Sequence, residues 1–145
     1  MGKLQGMYNI VQNVCFISLS VRLDEHRKTI VCFHELGHHV FDKRLAADKG
    51  LKDFTIHNLK DPVELRASML GAELRFRDED ILEMAYSGYT VKQIAMAAGA
   101  CPDFVGIKLD LLRHKGYDLS ITEYNHKNVF KVAEDWCGES DYFSY

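Results

Sequence analysis

The sequence predicts an α+β fold that is mainly helical, with a small N-terminal β-sheet, an HExxH helix and a helix-turn-helix-like C-terminal part. Three observations carry this. An apolar, β-branched stretch, NVCFISLSVRL, spans 13–23 with rough two-residue alternation. The segment after it changes to spacings of three and four. From residue 77 onward, short helical patterns are separated by glycine-containing turns.

Taken in order, Asn13 to Leu23 is expected to be a strand. From Leu23 to Asp48 the pattern is helical, with Ile30, His34, His38 and Phe41 on one stripe, and Gly50 is a suitable stop. Asp61 followed by Pro62 marks a helix start, aspartate as N-cap and proline at the first helical position. Val63, Ala67, Leu70 and Leu74 then form its apolar stripe. A further helix places Ile81, Leu82 and Ala85 inward and ends near Gly88. Ala95, Gly99 and Val105 have the spacing of a helix-turn-helix core. The aromatic, acidic tail from Ile121 to Tyr145, with Trp136 as its large anchor, is expected to be partly helical.

With 145 residues the chain suits one ordinary domain. The expected organisation is a core over 1–76, a helical subdomain over 77–120 packed on it, and a tail over 121–145. Net charge is −3 and the sequence pI is about 6.1, so the basic footprint of a nucleic-acid binder is missing. Between Arg77 and Tyr117 five basic residues face six acidic ones, a net of −1, which cannot supply the phosphate-neutralising part of DNA affinity. Cys15, Cys32, Cys101 and Cys137 stand singly, as reduced thiols of a cytoplasmic protein do. The uncharged run from Leu4 to Val21 is interrupted by Gln5, Asn9, Gln12 and Asn13 and fails as a membrane span.

The chemistry lies in HELGHH, residues 34–39. On a helix His34 and His38 lie one turn apart on one face, so two imidazole nitrogens can converge on one ion, with Glu35 beside them. The plainer alternative is a pair of partly buried histidines satisfied by backbone or carboxylates. A catalytic zinc needs a third protein ligand and an open position. Glu64, in the first turn of the next long helix, is the candidate, and Glu73 the fallback. Glu64 could instead close an acidic capping box on the Asp61 amide. Gly37 costs about 1 kcal/mol in a helix relative to alanine, which is understandable if something approaches closely there.

Residues outside the motif extend the pattern. GMYNIVQNVCFISLSVRLDEHRKTIVCFHELGHHVFD, followed by ELRASMLGAELRFRDEDILEMAYSGYTVKQIAMAAGACPDFVGIKLDLLRHKGY, resembles the ImmA/IrrE family of metallopeptidases over about Gly6 to Tyr117. The resemblance implies a reduced thermolysin-like fold, with the family's N-terminal helix and strand shortened here. It implies zinc held by His34, His38 and Glu64, with Glu35 as general base. Ser68 stands where the family usually has asparagine, four residues after Glu64, where a partner for a ligand histidine is expected. Leu70 and Gly71 replace the usual Phe-Ala. The implied substrate is a protein, a helix-turn-helix transcriptional repressor of a prophage or integrative element.

For an oxyanion stabiliser, His57, His126 and Tyr124 are the candidates. As an edge strand, Asn13 to Leu23 could pair with an extended substrate segment. The competing reading is a non-catalytic regulator that binds DNA or a repressor and keeps a relict metal site; a structural interaction domain is the third.

Overall fold

A computed structural model describes residues 4–49, 51–53 and 61–120. The chain opens on a hairpin. Strand β1, Gly6–Val11, pairs antiparallel with β2, Val14–Leu19, in the register Gly6↔Leu19 to Val11↔Val14. Gln12 and Asn13 make the turn, both at positive φ (49° and 65°), the geometry that matches the twist of two strands joined by two residues. The strand expected over Asn13 to Leu23 is therefore shorter at both ends, and Asn13 belongs to the turn. Strand β3, Leu51–Asp53, pairs antiparallel with the other side of β1, giving the order β2-β1-β3. Among the described residues β2 has one free edge, and Val14 to Ser18 are exposed on both faces.

Helix α1, Glu25–Phe41, starts at Asp24, whose side chain accepts from the Arg27 amide at 2.8 Å. Ile30, His34 and His38 are buried as their spacing predicts. Phe41 is 44% exposed, so the stripe ends one turn earlier than expected. The helix also stops short of the expected Asp48. Asp42 leaves helical geometry at φ −120°, and α2, Lys43–Lys49, begins anew beyond it. Gly50 lies outside the described residues.

Helix α3, Pro62–Arg75, begins as the Asp61-Pro62 pair predicts, with the Asp61 carboxylate accepting from the Val63 amide at 2.9 Å. Its buried face shares only Ala67 with the expected stripe. Leu65, Ala67, Ser68, Gly71 and Ala72 are inside, Leu74 is half exposed, and Val63 and Leu70 are only partly covered. The cause is that α3 lies between two helices. Ala67 and Gly71 meet the α1 backbone, while Leu65 and Ala72 join the apolar core formed with the helices that follow.

Those helices are α4, Asp78–Tyr86, α5, Val91–Ala98, and α6, Pro102–His114. Thr90 and Gln93 close a reciprocal capping box at the start of α5. Gly99 ends it in the left-handed region at φ 61°. Ala95 and Val105 are buried on either side of that turn, and the core cluster runs from Ile30 and Val31 of α1 to Leu119. The mainly helical α+β architecture expected from the sequence is what the structure has. Among the described residues no helix is long and apolar enough to cross a membrane.

Lys108, fully buried in α6, is paired with Asp78 and, at 3.2 Å, with Glu73. Lys115 joins the same two carboxylates at 2.9 Å each. This four-charge cluster ties α3, α4 and α6 together, and it has a pH signature. Hydrogen bonds from Lys108 and Lys115 hold the Asp78 carboxyl below its ordinary value of 3.8. A carboxyl depressed in the folded state stabilises the fold above its unfolded pKa, and that share is lost as pH falls through the folded value. Stability against urea is expected to fall below pH about 4 less steeply in Asp78→Asn than in wild type. Equal acid limbs would show that the cluster contributes nothing. At the alkaline end, the Glu73 carboxylate leads in raising Lys115 above 10.5. Its share is complete below that pH and lost as pH rises through the folded value.

A candidate metal centre between the first and third helices

Helices α1 and α3 cross unusually closely because small residues meet there. A Cβ placed on Gly37 would fall on the Ala67 carbonyl oxygen and 2.6 Å from the Ala67 Cα. One on Gly71 would lie 2.9 Å from the Phe33 carbonyl oxygen. Backbone-to-backbone contact of this kind puts the first turn of α3 over the histidine face of α1. Glu64 thereby reaches across to both imidazoles.

The Nε2 atoms of His34 and His38 lie 3.1 Å apart. Glu64 Oε2 is 3.2 Å from His34 Nε2, and Glu64 Oε1 is 3.6 Å from His38 Nε2. Both histidines are fully buried, and the Glu64 side chain is 16% exposed, so solvent meets the group on the glutamate side. Three ligand atoms converge within 4.8 Å of one another, a group that could hold a metal ion. The alternative in which Glu64 caps its own helix is not adopted, because the Asp61 carboxylate takes the Val63 amide and Glu64 turns to the histidines.

The other ring nitrogens are engaged too. Ser68 Oγ lies 2.9 Å from His34 Nδ1, the partner expected at this position in spite of the exchange for asparagine. Asp42 Oδ2 lies 2.9 Å from His38 Nδ1, and its other oxygen pairs with the Arg66 guanidinium from α3. The sequence reading missed Asp42, although a carboxylate four residues after His38 on one helix was a readable signal. Glu73 is committed to Lys108 and Lys115 and takes no place in the group.

Glu35 is completely buried, on the side of α1 that faces the sheet. A Cβ at Gly6 of β1 would overlap its Oε1 atom and crowd Val31, so the β1 backbone covers this carboxylate only because residue 6 is glycine. One turn further, His39 Nδ1 is 3.1 Å from the hydroxyl of Tyr8, which donates to Cys15 Sγ at 3.4 Å. Burial first, and then the Cys15 sulfur, push the Tyr8 hydroxyl up to about 12. His57, Tyr124 and His126, the candidates for stabilising an oxyanion, lie outside the described residues.

Residues 7–115 match the family model Peptidase_M78, the IrrE N-terminal-like domain. A protein of Bacillus phage phi105, named "Uncharacterized immunity region protein 2", is similar to the chain, with 26% identity over 115 residues that cover 79% of this chain and 71% of the relative. No solved structure matches it. With most of its length inside the family model, and with the histidines and Glu64 gathered as a possible metal group, the chain belongs to the IrrE N-terminal-like family of metallopeptidases.

Proposed function

We propose that this protein is a zinc-dependent endopeptidase that cleaves a helix-turn-helix transcriptional repressor in the cytoplasm, releasing the genes of a prophage or mobile element. The observation that carries it is the convergence of His34, His38 and Glu64. Donors about 2.0–2.2 Å from a tetrahedral zinc stand ~3.3 Å from one another; here the two Nε2 atoms are 3.1 Å apart, one Glu64 oxygen lies 3.2 Å from His34 Nε2 and the other 3.6 Å from His38 Nε2. Two neutral imidazoles and one carboxylate are a donor set that zinc accepts in catalytic sites, with a fourth position left for water.

When bound, zinc supplies a Lewis acid that makes water a nucleophile at neutral pH and polarises the scissile carbonyl. Glu35 takes a proton from the attacking water as its oxygen bonds to the carbonyl carbon. The same carboxyl then gives that proton to the amide nitrogen as the C–N bond breaks, and two peptide ends leave. The β1 backbone at Gly6 limits where the Glu35 carboxylate can go. The free edge of β2, one strand away, suits an extended substrate segment added to the sheet.

The repressor as substrate is supported by the family and by the name of the phage relative. A direct DNA-reading role is disfavoured by α6. As second helix of the helix-turn-helix-like unit it would have to enter the major groove, yet Phe104 to Leu112 are all buried. We take 1–76 as the catalytic part and 77–120 as a helical support for α3.

The test is zinc content of the purified chain. About one zinc per chain is expected in wild type, and close to none in His34→Ala or Glu64→Ala. Absence of zinc in wild type after reconstitution would remove the peptidase reading. With zinc in place, co-expression with tagged helix-turn-helix repressors encoded near the gene should yield a shortened repressor.

A further inference from the structure

We propose that Asp42 is a positioning residue for the metal centre, fixing His38 in the form that presents Nε2 to the ion and making it the more strongly donating of the two imidazoles. The inference rests on the zinc reading above and goes beyond it, because Asp42 lies outside the implied ligand set.

The geometry is asymmetric. His34 is supported at Nδ1 by the Ser68 hydroxyl, and His38 by the Asp42 carboxylate, each at 2.9 Å. A hydroxyl can donate or accept, so Ser68 by itself leaves the His34 tautomer open. An ionised carboxylate only accepts, so Asp42 requires the proton on His38 Nδ1 and leaves the Nε2 lone pair for the metal. A charged acceptor also makes the stronger hydrogen bond and raises the basicity of the ring it holds.

Asp42 is built for this task. It is 1% exposed and ends α1, its amide donating to the His38 carbonyl at 2.8 Å. The bend there lets the carboxylate turn back along the helix to the ring one turn earlier. Its second oxygen is paired with Arg66 of α3, two residues after Glu64. The pair also links the helix that carries the histidines to the helix that carries Glu64, so the charge behind His38 and the position of the third ligand are held by one contact.

The experiment uses the full chain as wild type, Asp42→Asn and Ser68→Ala, with zinc affinity measured by competition against a chromophoric chelator and folding of the metal-free proteins followed by circular dichroism. Asparagine keeps the size and an acceptor oxygen but removes the charge. Asp42→Asn is expected to bind zinc about 10- to 100-fold more weakly, and Ser68→Ala to lose less. A metal-free melting curve near that of wild type in Asp42→Asn separates this loss from a merely structural role. If that variant melts early, the comparison is made at a temperature where both proteins are folded. Wild-type affinity in Asp42→Asn, or a larger loss in Ser68→Ala, overturns the inference and leaves the zinc reading standing. A wild type that binds no zinc overturns both.

Discussion

Glu35→Gln is expected to keep about one zinc per chain and to cleave the repressor about 100- to 10,000-fold more slowly than wild type. The two halves of that result have separate causes. The three donors that face one another belong to His34, His38 and Glu64, so exchanging Glu35 for its amide leaves the metal group whole. The amide has the size of the carboxyl but cannot take the proton of an attacking water or return one to the leaving amine. Stability gives an internal control. Glu35 is completely buried, so the melting curve of the metal-loaded variant, set beside that of wild type, separates loss of chemistry from loss of fold. Glu35→Asp separates chemistry from placement. It restores an acid-base group one methylene short, and should recover activity only in part because the β1 backbone over Gly6 fixes the reach. Rapid cleavage by Glu35→Gln at full zinc loading would remove Glu35 from the reaction.

The parts of this site legible in the sequence are those written as spacing on one helix. His34, Glu35 and His38 needed only the helical period, and Asp61-Pro62 announced the helix that brings Glu64. Pairing that helix with α1 was less legible, because periodicity weighs large apolar side chains whereas close helix crossings select small ones. Of the expected stripe Val63, Ala67, Leu70 and Leu74, only Ala67 lies against α1, where Gly71 joins it with polar Ser68 buried between them. The hairpin was missed for a similar reason. Gln12-Asn13 is a weak turn signal without glycine, and the two strands merge into one uncharged run. Asp42 stands at a readable four-residue spacing from His38, but only the bend that ends α1 there turns its carboxylate back onto the ring. In α6 the helical period does not announce that Lys108 is buried, and the carboxylates of Glu73 and Asp78 explain how a lysine is held inside.

Gly37→Ala follows from the same crossing and should cost both stability and zinc affinity. In an isolated helix the exchange would stabilise by about 1 kcal/mol. Here the new Cβ would meet the Ala67 carbonyl oxygen and lie 2.6 Å from its Cα and 2.8 Å from its carbonyl carbon. Those are backbone atoms of a helix that is itself packed against α6, so no side-chain rotation relieves the overlap and α3 has to move outward. Overpacking of this kind costs about 1–3 kcal/mol, so against a propensity gain of about 1 kcal/mol a net loss of up to about 2 kcal/mol in urea unfolding is expected. The displacement also carries Glu64 away from the two imidazoles, and zinc affinity should fall even at temperatures where the variant is fully folded. Gly71→Ala is the comparison. Its Cβ would lie 2.9 Å from the Phe33 carbonyl oxygen and 3.1 Å from the His34 nitrogen, a milder overlap that the propensity gain should largely offset. If Gly37→Ala unfolds at the wild-type urea concentration and binds zinc as tightly, the close crossing of α1 and α3 is not what sets the third ligand in place.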